Sequence, residues 1–335
     1  MPIPLKSAAG MLGLAVLACA GCATSSDASS DTGSDTRPKA GSNADTGYAP
    51  YASASTAYAT DSAGSPDAYN LAFVVSNGSS CTPSWGGHTK IADAGVASRL
   101  KKLAASGATL RVSFGGADGN ELATTCDSAT DLAAAYAKAL DAAGDATHVD
   151  FDIEGDTLKD SAANTKRAKA IALLQKQRDV DVTFTLPVMP SGLDDDSVDL
   201  LEAANNQSVQ VSTVNVMTMN YGESYQDDMS DYARTSARAT HTQLKKVFGL
   251  SDAKAWRGMA LTSMLGANDI DGETFTLADA AQLRSFAEKK GIAWVSTWAT
   301  FRDVPCESGT DTDDAATNCS GVRQSEGAYG RALSG

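Results

Sequence analysis

From about residue 48 onward, short β-branched or apolar runs alternate with amphipathic stretches. The runs that read as strands are Tyr48–Ser53, Asn70–Ser76, Thr109–Phe114, His148–Ile153, Val182–Leu186, Val214–Asn220, Gly258–Ser263 and Ala293–Trp298. Between most of them lie stretches such as Leu132–Leu140, Ala163–Gln175, Tyr232–Val247 and Leu277–Lys289. Their apolar residues recur at intervals of three and four, the period of one helix face. Strands alternating with helices in this way predict parallel βα units, and eight of them predict an α/β fold of the (β/α)8 TIM-barrel type. The first run is the least regular, and its connection to the second is short for a full helix. An open doubly wound sheet competes, but the glycine-rich phosphate loop expected after its first strand is absent.

The N-terminal part breaks this pattern. A weakly basic start over Met1–Lys6 and an apolar core over Met11–Ala18 read as an export signal, too short to span a bilayer. Leu17-Ala18-Cys19-Ala20-Gly21-Cys22 resembles a bacterial lipoprotein processing site, with Cys22 or Cys19 as acceptor and plain cleavage after Ala18-Cys19-Ala20 as the alternative. Residues 23–45 are rich in Ser, Asp, Thr, Gly and Ala without an aromatic residue, a composition that predicts a flexible tether. The organisation expected is therefore a signal over 1–22, a tether over 23–45 and a barrel over 46–335, about the usual barrel length. A net charge of −14, from 41 acidic against 27 basic residues, argues against nucleic acid or an anionic membrane surface as a partner. Any membrane attachment would run through the N-terminal lipid, and a monomer is expected.

Beyond the leader there are four cysteines, Cys81, Cys126, Cys306 and Cys319. An even number in an exported chain predicts two disulfides. Three connectivities are open; pairing Cys306 with Cys319 closes a polar loop and leaves Cys81 for Cys126. With no Cys-x-x-Cys and three histidines, the spacing does not suggest a metal site.

The candidate chemistry lies on the fourth run, Asp150-Phe151-Asp152-Ile153-Glu154. A strand points alternate side chains the same way, so Asp150, Asp152 and Glu154 should project together into the barrel mouth. Three like charges there are unfavourable unless protons are shared, which drives one carboxyl to a raised pKa. Glycosidic cleavage needs such a group, an acid still protonated near neutral pH. Glu154, last in the series, is the natural acid; Asp152 can share its proton and Asp150 can tune Asp152. A solvated acidic edge or a metal site is the bland alternative, but a solvated edge would not alternate with Phe and Ile.

These residues, with Gly155, resemble the D-x-x-D-x-D-x-E signature of glycoside hydrolase family 18, the chitinases and their relatives. Ser113-Phe114-Gly115-Gly116 is similar to that family's S-x-G-G strand, and Met217-Thr218-Met219-Asn220 resembles its M-x-Y-D strand. Trp298 falls where the last strand of the family carries the tryptophan beneath the reacting sugar. The Cys81–Gly87 loop and the Trp298–Asp303 segment resemble a compact bacterial subgroup. The resemblance implies chitin or chito-oligosaccharides as substrate, no cofactor, and a substrate whose own acetamido oxygen is the nucleophile. Glu154 would then be acid and base, Asp152 would hold the acetamido N–H, and Asp150 would support Asp152. Trp298 would floor the sugar site, with Gly115, Met217, Asn220 and Tyr221 around it. Trp85 is either a further sugar platform or loop packing; Tyr51 and Phe73 either line the pocket or fill the core.

Three departures stand out. The first signature Asp is Thr147, followed by His148, and the Tyr and Asp of M-x-Y-D are Met219 and Asn220. Loss of the first Asp should weaken proton sharing; Asn220 could still bond an acetamido group, and Tyr221 could supply the phenol. Two other readings remain. One is an endo-β-N-acetylglucosaminidase acting on N-glycans; the other is a sugar-binding barrel without turnover, which Glu154 argues against.

Overall fold

The computed structural model describes residues 45–310 and 317–335, all within one unit, Asn43–Gly335. The signal and acceptor cysteines expected over 1–22 lie outside the described residues, as does the tether apart from Asp45. The strands are β1 (Gly47–Tyr48), β2 (Tyr51–Ser53), β3 (Ala68–Ser76), β4 (Pro83–Trp85), β5 (Thr89–Lys90), β6 (Thr109–Gly115), β7 (His148–Asp152), β8 (Asp181–Pro187), β9 (Val211–Met217), β10 (Met259–Met264), β11 (Gly266–Ala267), β12 (Thr274–Phe275) and β13 (Trp294–Trp298). The helices are α1 (Ala94–Ala104), α2 (Leu122–Thr125), α3 (Ala129–Ala142), α4 (Gly155–Lys159), α5 (Ser161–Gln177), α6 (Asp195–Asn206), α7 (Met229–Phe248), α8 (Asp252–Arg257), α9 (Leu277–Lys290) and α10 (Ala328–Ser334).

Parallel pairing runs β13–β10–β9–β8–β7–β6–β3. The sheet closes because β1 pairs with β13 while β2 pairs with β3. β1 and β2 are two halves of one barrel strand, parted at Pro50. Ala49 N donates to Val295 O on one side and Pro50 O receives Asn70 N on the other, each at 2.9 Å. A proline has no N–H to offer, so it fits the point where the strand changes neighbours. With these halves counted as one, the result is the (β/α)8 TIM barrel. The first βα connection holds only a short 3-10 turn, Ala59–Ser62.

Several helices begin on side-chain caps: Asp93, Ser128, Asp160, Asp194, Asp228, Ser251 and Thr276 each accept a backbone N–H of the first turn. Helices α1 and α6 were not marked by the sequence pattern. β9 starts and stops three residues earlier than the pattern placed it, because Asn220 takes a left-handed backbone (φ 54°) that ends the extended run.

β7 shows how sequence parity builds the site. Phe151 is buried on the outer wall, with ring centroids 5.5 Å from Phe114, 5.0 Å from Tyr136 of α3 and 5.7 Å from Phe184. Burying one such ring contributes about 1.5–3 kcal/mol. The opposite parity, Asp150 and Asp152, faces the barrel interior. At the N-terminal end, Arg111 lies 4.7 Å over Trp294 and donates to Asn70 Oδ1 at 2.6 Å.

Candidate active site

The C-terminal mouth of the barrel opens into a cleft of about 340 Å³. Its acid side is lined by Asp118, Asp152 and Glu154, and its floor by Tyr51, Phe73 and Trp298. Met217, Met219 and Asn220 come from the end of β9, and Asp269 from the loop between β11 and β12.

Asp150 lies deepest. Its Oδ2 accepts from Ser113 Oγ at 2.5 Å and Tyr51 Oη at 2.9 Å, and its Oδ1 from Thr185 Oγ1 at 2.7 Å. Burial pushes its carboxyl up, while these hydroxyls and Arg111 pull back toward the ionised form. Asp152 has no such cage. It is 5% exposed, and its Oδ1 is buried without a hydrogen-bond partner. Burial, then the charges of Glu154 and Asp150, hold it well above the usual carboxylate range.

Glu154 lies just past the end of β7 with an extended backbone (φ −142°, ψ 175°), so the strand's alternation carries on to it. Burial, followed by the charges of Asp118 and Asp269, pushes its carboxyl up to about 7. The three acids therefore sit in graded surroundings: caged, buried with an unpaired oxygen, and half-open at the cleft.

Trp298 stands on the floor beside Phe73 (centroids 5.5 Å, interplanar 19°) and Tyr51 (5.8 Å, 63°). Phe301 meets its edge at 5.7 Å. A flat apolar face of this kind suits the C–H face of a pyranose. Asn220 exchanges two hydrogen bonds with Asp269: Nδ2 donates to Oδ2 at 2.7 Å and Oδ1 receives the Asp269 N–H at 3.1 Å. Among the described residues, no group of three or more His, Cys, Asp or Glu is placed to hold a metal ion.

Four expectations need correction. Trp85 is no sugar platform: it is 2% exposed on β4, its Nε1 donating to Ile91 O at 3.2 Å, because the β4–β5 hairpin folds it back onto the core. Tyr221 does not reach the cleft, since the left-handed turn at Asn220 sends it toward α7, where it meets Ser236, Tyr225 and Tyr232. Gly115 serves packing rather than substrate contact: at φ 98°, a Cβ there would lie 2.1 Å from Asp152 O, so glycine lets β6 close on β7. Thr147 is exposed at the far end of β7, about 16 Å of strand from Asp152, so the missing Asp does not touch proton sharing. His148 sits there too, 3.2 Å from Asp181.

Both disulfides form, Cys81–Cys126 and Cys306–Cys319. Sequence reasoning missed Asp118 and Asp269, along with Thr185, Thr262, Met264, Phe301 and Thr317 of the cleft lining. Asp118, two residues past Gly116, could have been found by following each strand end a little further. Asp269 carries no local signal, since only the fold brings it to Asn220.

No protein-family model matches the chain. It is 33% identical over 252 residues to a probable bifunctional chitinase/lysozyme of Escherichia coli, covering 71% of this chain and 28% of that protein. It is 31% identical over 253 residues to endochitinase 11 of Metarhizium anisopliae, covering 71% of this chain and 48% of that protein. The chain thus spans between about a quarter and a half of the length of these relatives. Among solved structures it resembles the catalytic domain of a hyperthermophilic chitinase from Pyrococcus furiosus, with a TM-score of 0.75 and 29% identity over 87% of this chain and 94% of that one.

Proposed function

The chain belongs to the chitinase-like family 18 of glycoside hydrolases, and on that premise we propose that it hydrolyses β-1,4 bonds between N-acetylglucosamine units with retention of configuration. The observation that carries this reading is the graded series on β7, which ends in a half-open acid pushed up to about 7 above an aromatic floor.

In the proposed reaction a sugar seats on Trp298. Glu154 gives its proton to the glycosidic oxygen as the bond from C1 to that oxygen breaks. The acetamido carbonyl oxygen bonds to C1 and forms an oxazolinium ring, which is why no second carboxylate at nucleophile distance is needed. Asp152, with a buried oxygen lacking a partner, takes the acetamido N–H by turning toward Glu154. Asp150 lies beneath, its three hydroxyl partners favouring its ionised form against the pull of burial, and so favours the proton remaining on Asp152. Glu154, now a carboxylate, draws a proton from water as the water oxygen attacks C1 and the ring opens. The test is product analysis on N-acetylglucosamine oligomers of graded length, beside a glycoprotein digest and fully deacetylated chitosan. Oligomer cleavage alone fits the proposal; cleavage of the glycoprotein alone points to an endo-β-N-acetylglucosaminidase, and cleavage of chitosan removes the acetamido nucleophile.

The protein is further proposed to act outside the cytoplasm, as a monomer held by an N-terminal lipid on Cys22 or Cys19. Two disulfides support an oxidising compartment. Fatty-acid labelling that survives Cys19→Ser/Cys22→Ser would remove the anchor.

A further inference from the structure

We propose that Asp269 is a positioning residue for the acid step: it locks the amide of Asn220 and brings to the cleft of Glu154 the carboxylate that the β9 motif lacks. This rests on the reading of Glu154 as the acid.

The lock follows from donor and acceptor chemistry. The Asp269 backbone N–H can only donate, so the Asn220 atom 3.1 Å from it must be oxygen. The Asp269 carboxylate can only accept, so the Asn220 atom 2.7 Å from it must be nitrogen. One orientation of the amide satisfies both. It leaves one Nδ2–H of Asn220 and the Oδ1 of Asp269 for a substrate, a donor beside an acceptor. An Asp at 220 would still accept the Asp269 N–H, but its second oxygen would face the Asp269 carboxylate with no proton to share. Asn at 220 and Asp at 269 therefore depend on one another.

Both loops that carry the pair are anchored. Behind Asn220, the carboxylate of Glu273 is 1% exposed and accepts Gly222 N–H at 2.7 Å, with the N–H groups of Asn220 and Tyr221 also directed to it. On the other loop, Arg302 donates to Leu265 O and Ala267 O, each at 2.8 Å, and Asn268 Nδ2 to Met264 O and Gly266 O. Gly266 has φ 68°, and a Cβ there would lie 1.7 Å from Ser320 O, so this loop is seated on the segment after Cys319. Asp269 is exposed but held.

The groups that share the cleft with Glu154 are Asp152 at the end of β7, with Asp150 beneath it, Asp118 from the loop after β6, Asp269 from the loop after β11, and Tyr51 of β2. No Lys, Arg or His is among the described residues lining the cleft; Arg302, behind the loop, opposes part of the Asp269 charge. Removing the charge of Asp269 must therefore make Glu154 a stronger acid.

The experiment follows the Glu154 carboxyl by carbon-13 NMR titration, and kcat/KM against pH on a chito-oligosaccharide, in three variants of the full chain. Asp269→Asn keeps an oxygen for Asn220 Nδ2 and removes only charge, so the Glu154 midpoint should fall by roughly half to one pH unit with Tm unchanged. Asn220→Asp should raise it. The exchange Asn220→Asp/Asp269→Asn should return it close to wild type, which a merely structural role of Asp269 would not produce. An unshifted midpoint in Asp269→Asn, or an exchange variant no nearer to wild type than the single ones, overturns the inference. Loss of turnover in Glu154→Gln beside an unshifted Asp269→Asn sinks the inference alone. Full turnover in Glu154→Gln sinks the reading of the acid, whatever the titration gives.

Discussion

If the protonated form of Glu154 starts the reaction, kcat/KM on a chito-oligosaccharide should follow the fraction still protonated. Burial and the neighbouring charges put that carboxyl at about 7. The protonated fraction is then roughly one half at pH 7, one tenth at pH 8 and one hundredth at pH 9. The sign is fixed by the acid role: activity is present below the raised pKa and lost as pH rises through it. Glu154→Gln removes the proton altogether and should lower turnover by about two to four orders of magnitude, with no alkaline limb remaining. A nitrophenyl oligosaccharide adds a control. Its leaving group departs without a proton, so the variant should lose at least about tenfold less on it than on the natural bond. Rates are read between about pH 5 and 9 at constant ionic strength, because salt screens the partly exposed charges of Asp118 and Asp269. A profile flat from pH 6 to 9, or a Glu154→Gln variant keeping more than about a tenth of wild-type activity, would refute the assignment.

Other consequences can be measured on the same protein. Asp152 prefers its proton in the folded state, while the unfolded chain ionises it from about pH 4. The stability it contributes is therefore present below about pH 4 and lost as pH rises, so Asp152→Asn should raise Tm more at pH 7 than at pH 4 while losing most activity; equal changes at both pH values would contradict this. The Cys81–Cys126 bridge spans 45 residues and Cys306–Cys319 spans 13, so chain entropy predicts losses of about 4 and about 3 kcal/mol on Ser replacement; denaturant unfolding should rank them in that order, and the reverse order would show that strain or residual structure dominates. Trp85→Ala should lose about 3–5 kcal/mol with the KM for oligosaccharides unchanged, and a raised KM would return Trp85 to the cleft.

The fold was legible because its signal is periodic. Each barrel strand is a short apolar run, and β7 and its neighbours show the alternation that a two-sided barrel wall imposes. The acids were legible for the same reason: Phe151 and Ile153 could only be outward if Asp150, Asp152 and Glu154 were inward. What the sequence hid depends on single backbone angles and on long-range packing. The extended register continued through Asn220 places Tyr221 in the mouth, yet one left-handed residue turns it away. Trp85 sits in a segment rich in glycine and proline that suggests an exposed loop, but that segment pairs as a hairpin against β3. The Asn220–Asp269 pair spans 49 residues, and nothing local to either residue announces the other.

A cleft whose acidity depends on surface carboxylates must hold those carboxylates still, and the rim of this barrel is braced accordingly. The loop bearing Asp118 runs into Glu121, which is 5% exposed and accepts from Arg167 at 2.8 Å. Arg167 also donates to Asn164, and Lys166 beside it donates to Ala123 O and Cys126 O. Cys126 is in turn bonded to Cys81. A buried ion pair contributes little net stability against an apolar replacement, yet breaking one partner leaves an uncompensated charge. Such a pair is better suited to fixing a geometry than to raising stability. The same division of labour appears on the opposite rim, where Glu273, Arg302 and Asn268 hold the loops of Asn220 and Asp269. The acids on β7 are placed by strand parity, which any barrel supplies. The field around Glu154 is placed by these braces, which belong to this chain's own loops. Variation in the pH range of catalysis should therefore arise in the loops after β6 and β11, while variation in the acid itself should abolish the reaction.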